Sequence, residues 1–516
     1  MVLGTVVAVF ARRLRIPAPS LLVVAGVAVG LLPPVPQVRV SPDVVSLVVL
    51  PPLLYAASEE LPWRDLRAVW RPVGVLAVGL VLASAAAVAA VAGAVAAVPA
   101  SMALVLGAVL ASTDPVAVSA LGRRLSLPSR IQALVQGESL FNDATSLVLF
   151  QISVSIAVGG TAAGSSAIGI LLAGAAQFVI LAAGGAAAGA VVAAGVILVR
   201  RRVTDPVLET VLALVTPYAA YVLGANLHVS PVMAVIVAGL AVGARRAQVT
   251  TAPTRLQVHA FYQTVIFLLE SVVFSLIGLQ FPVLIRSVSP GVAWPLIALA
   301  VSGTLLATRI LWVFPLSLLS QWRRGGGRPS WQAPAVVSWA GTRGVVPLAA
   351  ALSIPLTARS GAALPQRDLI LVLVTAVIVI SLIVQGLTLE PLARFAGIAE
   401  SADPGHEEAA ARLRLAEAGL TRLEELADRH AAPDDVIDRA RARLRSRLGH
   451  ARARTAGTGG TKSGGLTEQQ LRRNLSAAEN AELARLFDGG LISDATRRRL
   501  QRSLDLEATR LRDDQP

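Results

Sequence analysis

Apolar stretches separated by short polar ones recur along the first 400 residues, at roughly 1–11, 17–35, 42–58, 72–98, 101–121, 130–158, 165–199, 206–223, 229–244, 260–282, 291–320, 334–356 and 368–395. A helix crosses the hydrocarbon layer with about 20 apolar residues. The pattern therefore predicts an all-α polytopic membrane protein of about 13 transmembrane helices over residues 1–397. The first stretch is short for a full crossing, so either the chain begins inside its first helix or that element half-inserts. Beyond residue 398 the pattern changes. Residues near 406–449 place many Arg and Glu three or four apart, as on a solvated helix. A Gly/Thr-rich run at 455–465 reads as a flexible linker. Two further helical stretches are expected near 467–487 and 491–512. The chain thus divides into a membrane domain, 1–397, and a helical tail, 398–516.

The polar gaps alternate in charge. One set carries Arg12, Arg13, Arg15, Arg64, Arg67, Arg71, Arg123, Arg124, Arg130, Arg200, Arg201, Arg202, Arg245, Arg246, Arg255, Arg323, Arg324 and Arg328; the other carries Arg39, Arg286, Arg359 and Arg367. One helix more or fewer would scramble that alternation. Short arginine-rich loops face the cytoplasm, which places the N-terminus outside and the tail inside, in the plasma membrane.

Composition narrows the classes. The chain is 54% hydrophobic, beyond the usual content of a soluble domain. It has no cysteine, so neither a disulfide framework nor a thiolate metal site. The net charge of +14 lies almost wholly in the loops of residues 1–399, where it orients helices, so no nucleic-acid partner is expected. The arginine pair at 12–13 follows the first apolar run, the reverse of a signal peptide. The glycine- and alanine-rich run at 182–189 suits close helix packing in lipid.

Against this apolar background three carboxylates stand out: Asp114, Glu138 and Asp143. A carboxylate at membrane depth is costly unless it holds a partner, a proton or a cation, which marks it as functional. Thr113-Asp114-Pro115 lies mid-span, where proline removes a backbone donor and clashes with the preceding turn. A broken helix exposes carbonyls and helix ends that bind ions. In Gly137-Glu138-Ser139-Leu140-Phe141-Asn142-Asp143-Ala144, Glu138 and Asn142 share one helix face, and Ser139 and Asp143 a neighbouring one. Asp143, Asn142, Ser139, Ser146 and Thr113 offer the oxygen ligands that hard cations favour. A third element, Gly341-Thr342-Arg343-Gly344, repeats the broken-helix theme with opposite charge. Arg343 needs an acidic partner or exposed helix C-terminal carbonyls. Glu138 is the preferred partner and Asp114 the second. Glu270 is a further intramembrane acid, with Arg309 in the next span as one option for its partner.

These motifs together, Thr113–Val118, Gly137–Ala144 and Gly341–Val346, resemble the monovalent cation:proton antiporters, specifically the NhaP-type sodium/proton exchangers. Residues 274–280 and the Leu-Pro-Pro-Leu-Leu-Tyr motif at 50–55 match as well. The resemblance implies two inverted six-helix repeats, spans 1–6 and 8–13, with spans 5 and 12 interrupted. It implies an Asn142–Asp143 ion site of the one-cation-for-one-proton type, Asp114 as the unwound-span aspartate, a Glu138–Arg343 ion pair in the core, and a homodimer. One departure is visible: Ala56 stands where many relatives carry an acid, and Glu59 and Glu60 follow a turn later.

The reading that results is a transporter, not an enzyme, with no cofactor. Asp143 binds either a proton or a monovalent cation, Na+ first and K+ or Li+ as alternatives. Burial favours the neutral form of a carboxyl group and a nearby positive charge its ionised form. A site occupied by either ligand is neutral and can cross, while an empty ionised one is costly to move. The alternatives are a proton-uncoupled cation channel or uniporter, and a membrane sensor acting through its tail.

Overall fold

The computed structural model describes residues 18–32, 45–114, 129–159, 167–203, 205–245, 252–289, 291–323, 330–359, 361–397, 404–428 and 433–455, with residues 482 and 485 besides. The expected first span at 1–11, Pro115 with the rest of span 5, and the 456–465 part of the linker lie outside them. So do the tail helices expected at 467–487 and 491–512, apart from residues 482 and 485.

By chain contacts the protein divides into two units, Met1–Ala399 and Glu400–Pro516. The first contains α1 (Ala18–Gly30), α2 (Leu50–Glu60), α3 (Trp63–Gly74), α4 (Val81–Ala96), α5 (Ala100–Leu110), α6 (Ser129–Gly159) and α7 (Ala167–Arg200). It continues with α8 (Pro206–Asn226), α9 (Pro231–Gly243), α10 (Ala252–Ser287), α11 (Trp294–Arg323), α12 (Gln332–Trp339), α13 (Val345–Leu352) and α14 (Arg367–Phe395). Each expected span after the first meets a helix or, for span 12, a pair of half-helices. No strand occurs among the described residues; one isolated bridge joins Thr357 and Ala363. Among the described residues seven helices are long and apolar enough to cross a membrane: the continuous α3–α4 rod, α6, α7, α8, α10, α11 and α14. The architecture is that of an all-α polytopic membrane protein.

Local sequence explains the boundaries. α8 opens on Pro206, and Asp205 Oδ1 accepts from the N–H groups of Val207 (2.7 Å) and Leu208 (3.0 Å). α9 opens on Pro231, with Ser230 Oγ accepting from Met233 N–H. Proline at the first helical position costs nothing, because its missing N–H would lack a helical partner anyway. The α3–α4 rod passes through a π-helical stretch at Val75–Leu80, just after Pro72. The small-residue run of α7 does what packing in lipid requires: a side chain at Gly189 would collide with the backbone of Ala234 in α9.

α14 sits at the centre. Its most apolar window is 67% buried, against 33–44% in the other six spanning helices. Ile370, Leu373, Val374 and Ile378 join one core with Met102, Leu106 and Leu110 of α5, Ala144 of α6 and Leu348 of α13. The polar site described next is embedded in this core.

In the second unit, α15 (Pro404–Asp428) and α16 (Asp434–Thr455) pack on each other, with Gly419 against Leu444. Ion pairs three or four apart line their exposed faces, among them Arg422–Glu425 and Arg439–Asp435, both at 2.6 Å. The single helical stretch expected at 406–449 is thus two helices.

Candidate functional site

Two chain breaks meet in the core. α5 ends at Leu110, and residues 111–114 leave the helix. α12 ends at Trp339, and residues 340–344 run non-helically into α13. The breaks bind each other reciprocally. Asp114 N–H donates to the Thr342 carbonyl at 2.7 Å, and Thr342 Oγ1 donates to the Asp114 carbonyl at 2.9 Å. Backbone groups stripped of helical partners thereby regain them inside an apolar core, where an unmade hydrogen bond costs several kcal/mol. The approach at Gly344 is so close that a side chain there would run into the Asp114 carboxylate.

α6 supplies the third wall, through residues one turn apart. Ser112 Oγ donates to Asp143 Oδ1 at 2.7 Å, and Asp143 is 4% exposed. Asn142 is held twice by Thr113: its Nδ2 donates to Thr113 Oγ1 at 2.6 Å, and its Oδ1 accepts from Thr113 N–H at 3.3 Å. Ser139 Oγ donates to the Thr113 carbonyl, and Ser146 Oγ to the Ala108 carbonyl at 2.6 Å. The five residues expected at an ion site, Thr113, Asp114, Ser139, Asn142 and Asp143, are therefore gathered around one break. Carboxylate, amide, hydroxyl and carbonyl oxygens converge there, a donor set suited to a hard cation.

The expected Glu138–Arg343 ion pair is corrected. Glu138, 1% exposed, is bound by both terminal nitrogens of Arg309: Nη1 to Oε1 at 2.5 Å and Nη2 to Oε2 at 2.8 Å. Arg309 Nε donates to the Val337 carbonyl at 3.1 Å. This fork-to-fork geometry is the strong form of a charge pair. Arg309 lies on α11, and Gly341 leaves room for its side chain. It was the arginine offered to Glu270, which lies half-buried on α10. Position in sequence marked Arg309 as intramembrane, but only the fold, which packs α11 on α12 and brings its arginine within reach of Glu138, decides which acid it serves.

Arg343 takes the other course open to it. Its Nε donates to the Leu110 carbonyl at 2.8 Å and its Nη1 to the Gly341 carbonyl. Leu110 closes α5 and Gly341 follows α12, so one guanidinium offsets the negative ends of two half-helices. A second buried pair also escapes sequence reading. Arg200 Nη1 lies 3.9 Å from Glu59 Oε1, with both side chains buried. Each falls at the edge of an apolar run, where sequence alone suggests a loop charge. Ala56 is buried in α2 and lines a pocket with Glu59, Glu60, Val258, His259 and Tyr262.

Comparisons with known proteins identify the family and the fold. A family described as sodium/hydrogen exchanger, transmembrane, matches residues 1–395. An uncharacterised Na+/H+ exchanger of Mycobacterium tuberculosis is 34% identical over 526 residues, covering 99% of this chain and 94% of that protein. The low-affinity Na+/H+ antiporter NhaS1 of Synechocystis is 33% identical over 378 residues, 72% of this chain and 68% of that protein. The structure of the sodium proton antiporter MjNhaP1 from Methanocaldococcus jannaschii superposes with a TM-score of 0.60, covering 77% of this chain and 97% of that one at 21% identity. The likeness to that structure carries the fold, and the family match carries the membership: this chain belongs to the transmembrane sodium/hydrogen exchanger family.

Proposed function

We propose that the protein exchanges a monovalent cation, Na+ first, for H+ across the plasma membrane, one for one, by alternating access at Asp143. The observation that carries this reading is the convergence of Asp143, Asn142, Ser139, Thr113 and Asp114 where two interrupted helices cross inside an apolar core. Membership of the exchanger family and the printed names of relatives such as NhaS1 support the substrate class.

Asp143 is the exchanged group. Cation or proton neutralises it in turn, and neutrality is the condition for carrying a buried carboxylate past an apolar barrier. Asn142 beside it is neutral and held by Thr113 in both directions. The pair thus presents one titratable charge, which supports one proton per cation and electroneutral exchange. Ser112 orients the carboxylate, and carbonyls freed by the break complete the oxygen shell. Arg343 and the Glu138–Arg309 pair hold the crossing rigid and do not take up the transported ion. The alternation of arginine among the loops supports an N-terminus outside and a tail in the cytoplasm. The working unit is a homodimer, as the family resemblance implies.

The test is Asp143→Asn in proteoliposomes, read as quenching and recovery of an entrapped pH dye on adding Na+, K+ or Li+. Cation-driven proton movement is expected in the wild type and is lost in the variant. Retained exchange in Asp143→Asn rejects the assignment. Cation uptake without any pH change favours a uniporter instead.

A further inference from the structure

α14 grips the half-helix α13 at both ends. At the start, Arg343 N–H donates to Ser381 Oγ at 3.0 Å. At the finish, Arg367 Nε donates to the Ile354 carbonyl at 2.9 Å and Nη2 to the Leu352 carbonyl at 3.4 Å. Leu352 is the last residue of α13, so Arg367 satisfies carbonyls that a helix C-terminus leaves without partners. It also puts a positive charge at the negative end of the helix dipole. The opposite end begins at Gly344, directly against the Asp114 carboxylate. An eight-residue helix thus carries a carboxylate at its positive end and a guanidinium at its negative end.

The body of α13 makes apolar contacts. Its buried side chains are Val345, Pro347, Leu348, Ala349, Ala350 and Ala351, all apolar and half of them alanine. Each dispersion contact is weak and non-directional, whereas a charge-assisted hydrogen bond fixes a distance. The link to α14 is folded back rather than slack: Ala358 N–H donates to the Ala362 carbonyl at 2.8 Å, and Leu364 N–H to the Leu356 carbonyl at 3.1 Å. The polar contacts at the two ends therefore set where α13 stands along its own axis.

We propose that Arg367 is a positioning residue of the ion site: by anchoring the far end of α13 it sets how closely the helix start approaches Asp114. This role rests on the exchange reading given above. Arg367 touches no transported ion and is separated from Asp114 by the length of α13.

The test compares wild type, Arg367→Gln, Arg367→Lys and Asp368→Asn, reconstituted at equal protein, in Na+-driven proton flux. Arg367→Gln is expected to raise the apparent KM for Na+ about tenfold with kcat changed less than about threefold, the worth of one hydrogen bond to a charged group. Arg367→Lys restores KM, because an ammonium still donates to the carbonyls and keeps the charge. Asp368→Asn behaves as wild type; its carboxylate is largely exposed and 3.9 Å from Arg367. An unchanged KM in Arg367→Gln, or a loss confined to the amount of folded protein, overturns the positioning role. If Arg367→Gln fails to fold, Ser381→Ala at the other end is expected to show the same rise in KM, and an unchanged KM there overturns it equally. Wild-type protein without Na+-driven flux overturns the exchange reading, and this role with it.

Discussion

At Gly344 the space for a single hydrogen atom matters to the site. A methyl group there has no room except in the place of the Asp114 carboxylate. Gly344→Ala is therefore expected to displace Asp114 and lower exchange roughly ten- to hundredfold, the usual effect of about 1 Å of misplacement. Gly74→Ala, where a methyl meets open space, is the control and leaves flux unchanged. Initial rates of dye recovery in vesicles check both. Charge pairing is the second residue-scale matter. Removing Glu138 alone leaves Arg309 buried without its carboxylate, which costs about 3–5 kcal/mol. Glu138→Ala should lower the midpoint of thermal unfolding in detergent markedly. The double change Glu138→Leu with Arg309→Met should recover most of the loss. A double variant as unstable as the single would contradict the view that the pair is a brace. The sequence singles out both charges by their depth, yet it cannot pair them, because an ion pair is a matter of distance between helices that lie 171 residues apart in the chain.

The element that does the work is a pair of broken helices bound back to back. Proline and glycine in apolar spans announce such breaks, since neither residue suits a helix interior, so the departures from helix at 112–114 and 340–344 are legible in the sequence. Their mutual hydrogen bonds were not, because backbone pairing between distant segments leaves no trace in local composition. Thr342→Val keeps the volume and removes the hydroxyl that reaches the Asp114 carbonyl. The lost bond is worth about 1 kcal/mol net, so a roughly fivefold fall in exchange is expected. Serine at the same place should restore it, and a Thr342→Val protein with wild-type rates would show the crossing does not depend on this contact. Arg343 teaches the same lesson at element scale. Its charge suggested a carboxylate partner, but the ends of two half-helices present enough partial negative charge to hold it.

At the scale of the whole molecule, hydropathy sufficed to predict an all-α polytopic chain, and among the described residues seven helices are long and apolar enough to cross a membrane. The bilayer allows few other answers to a chain this apolar. Buried charge at span ends resisted the same treatment: Glu59 and Arg200 look like loop residues and turn out to face each other inside the protein. The tail forms a unit of its own by contacts. A chain ending at Ala399 is therefore expected to retain exchange, with at most a severalfold change in rate; complete loss on truncation would favour a sensor acting through the tail. The central claim is competition of two ligands for one carboxylate, and its most direct measurement is the Na+ dependence of proton flux at a series of pH values in proteoliposomes. Protons are predicted to raise the apparent KM for Na+ as pH falls, with kcat held nearly constant. A KM indifferent to pH, with the Asp143→Asn protein still exchanging, would contradict the account.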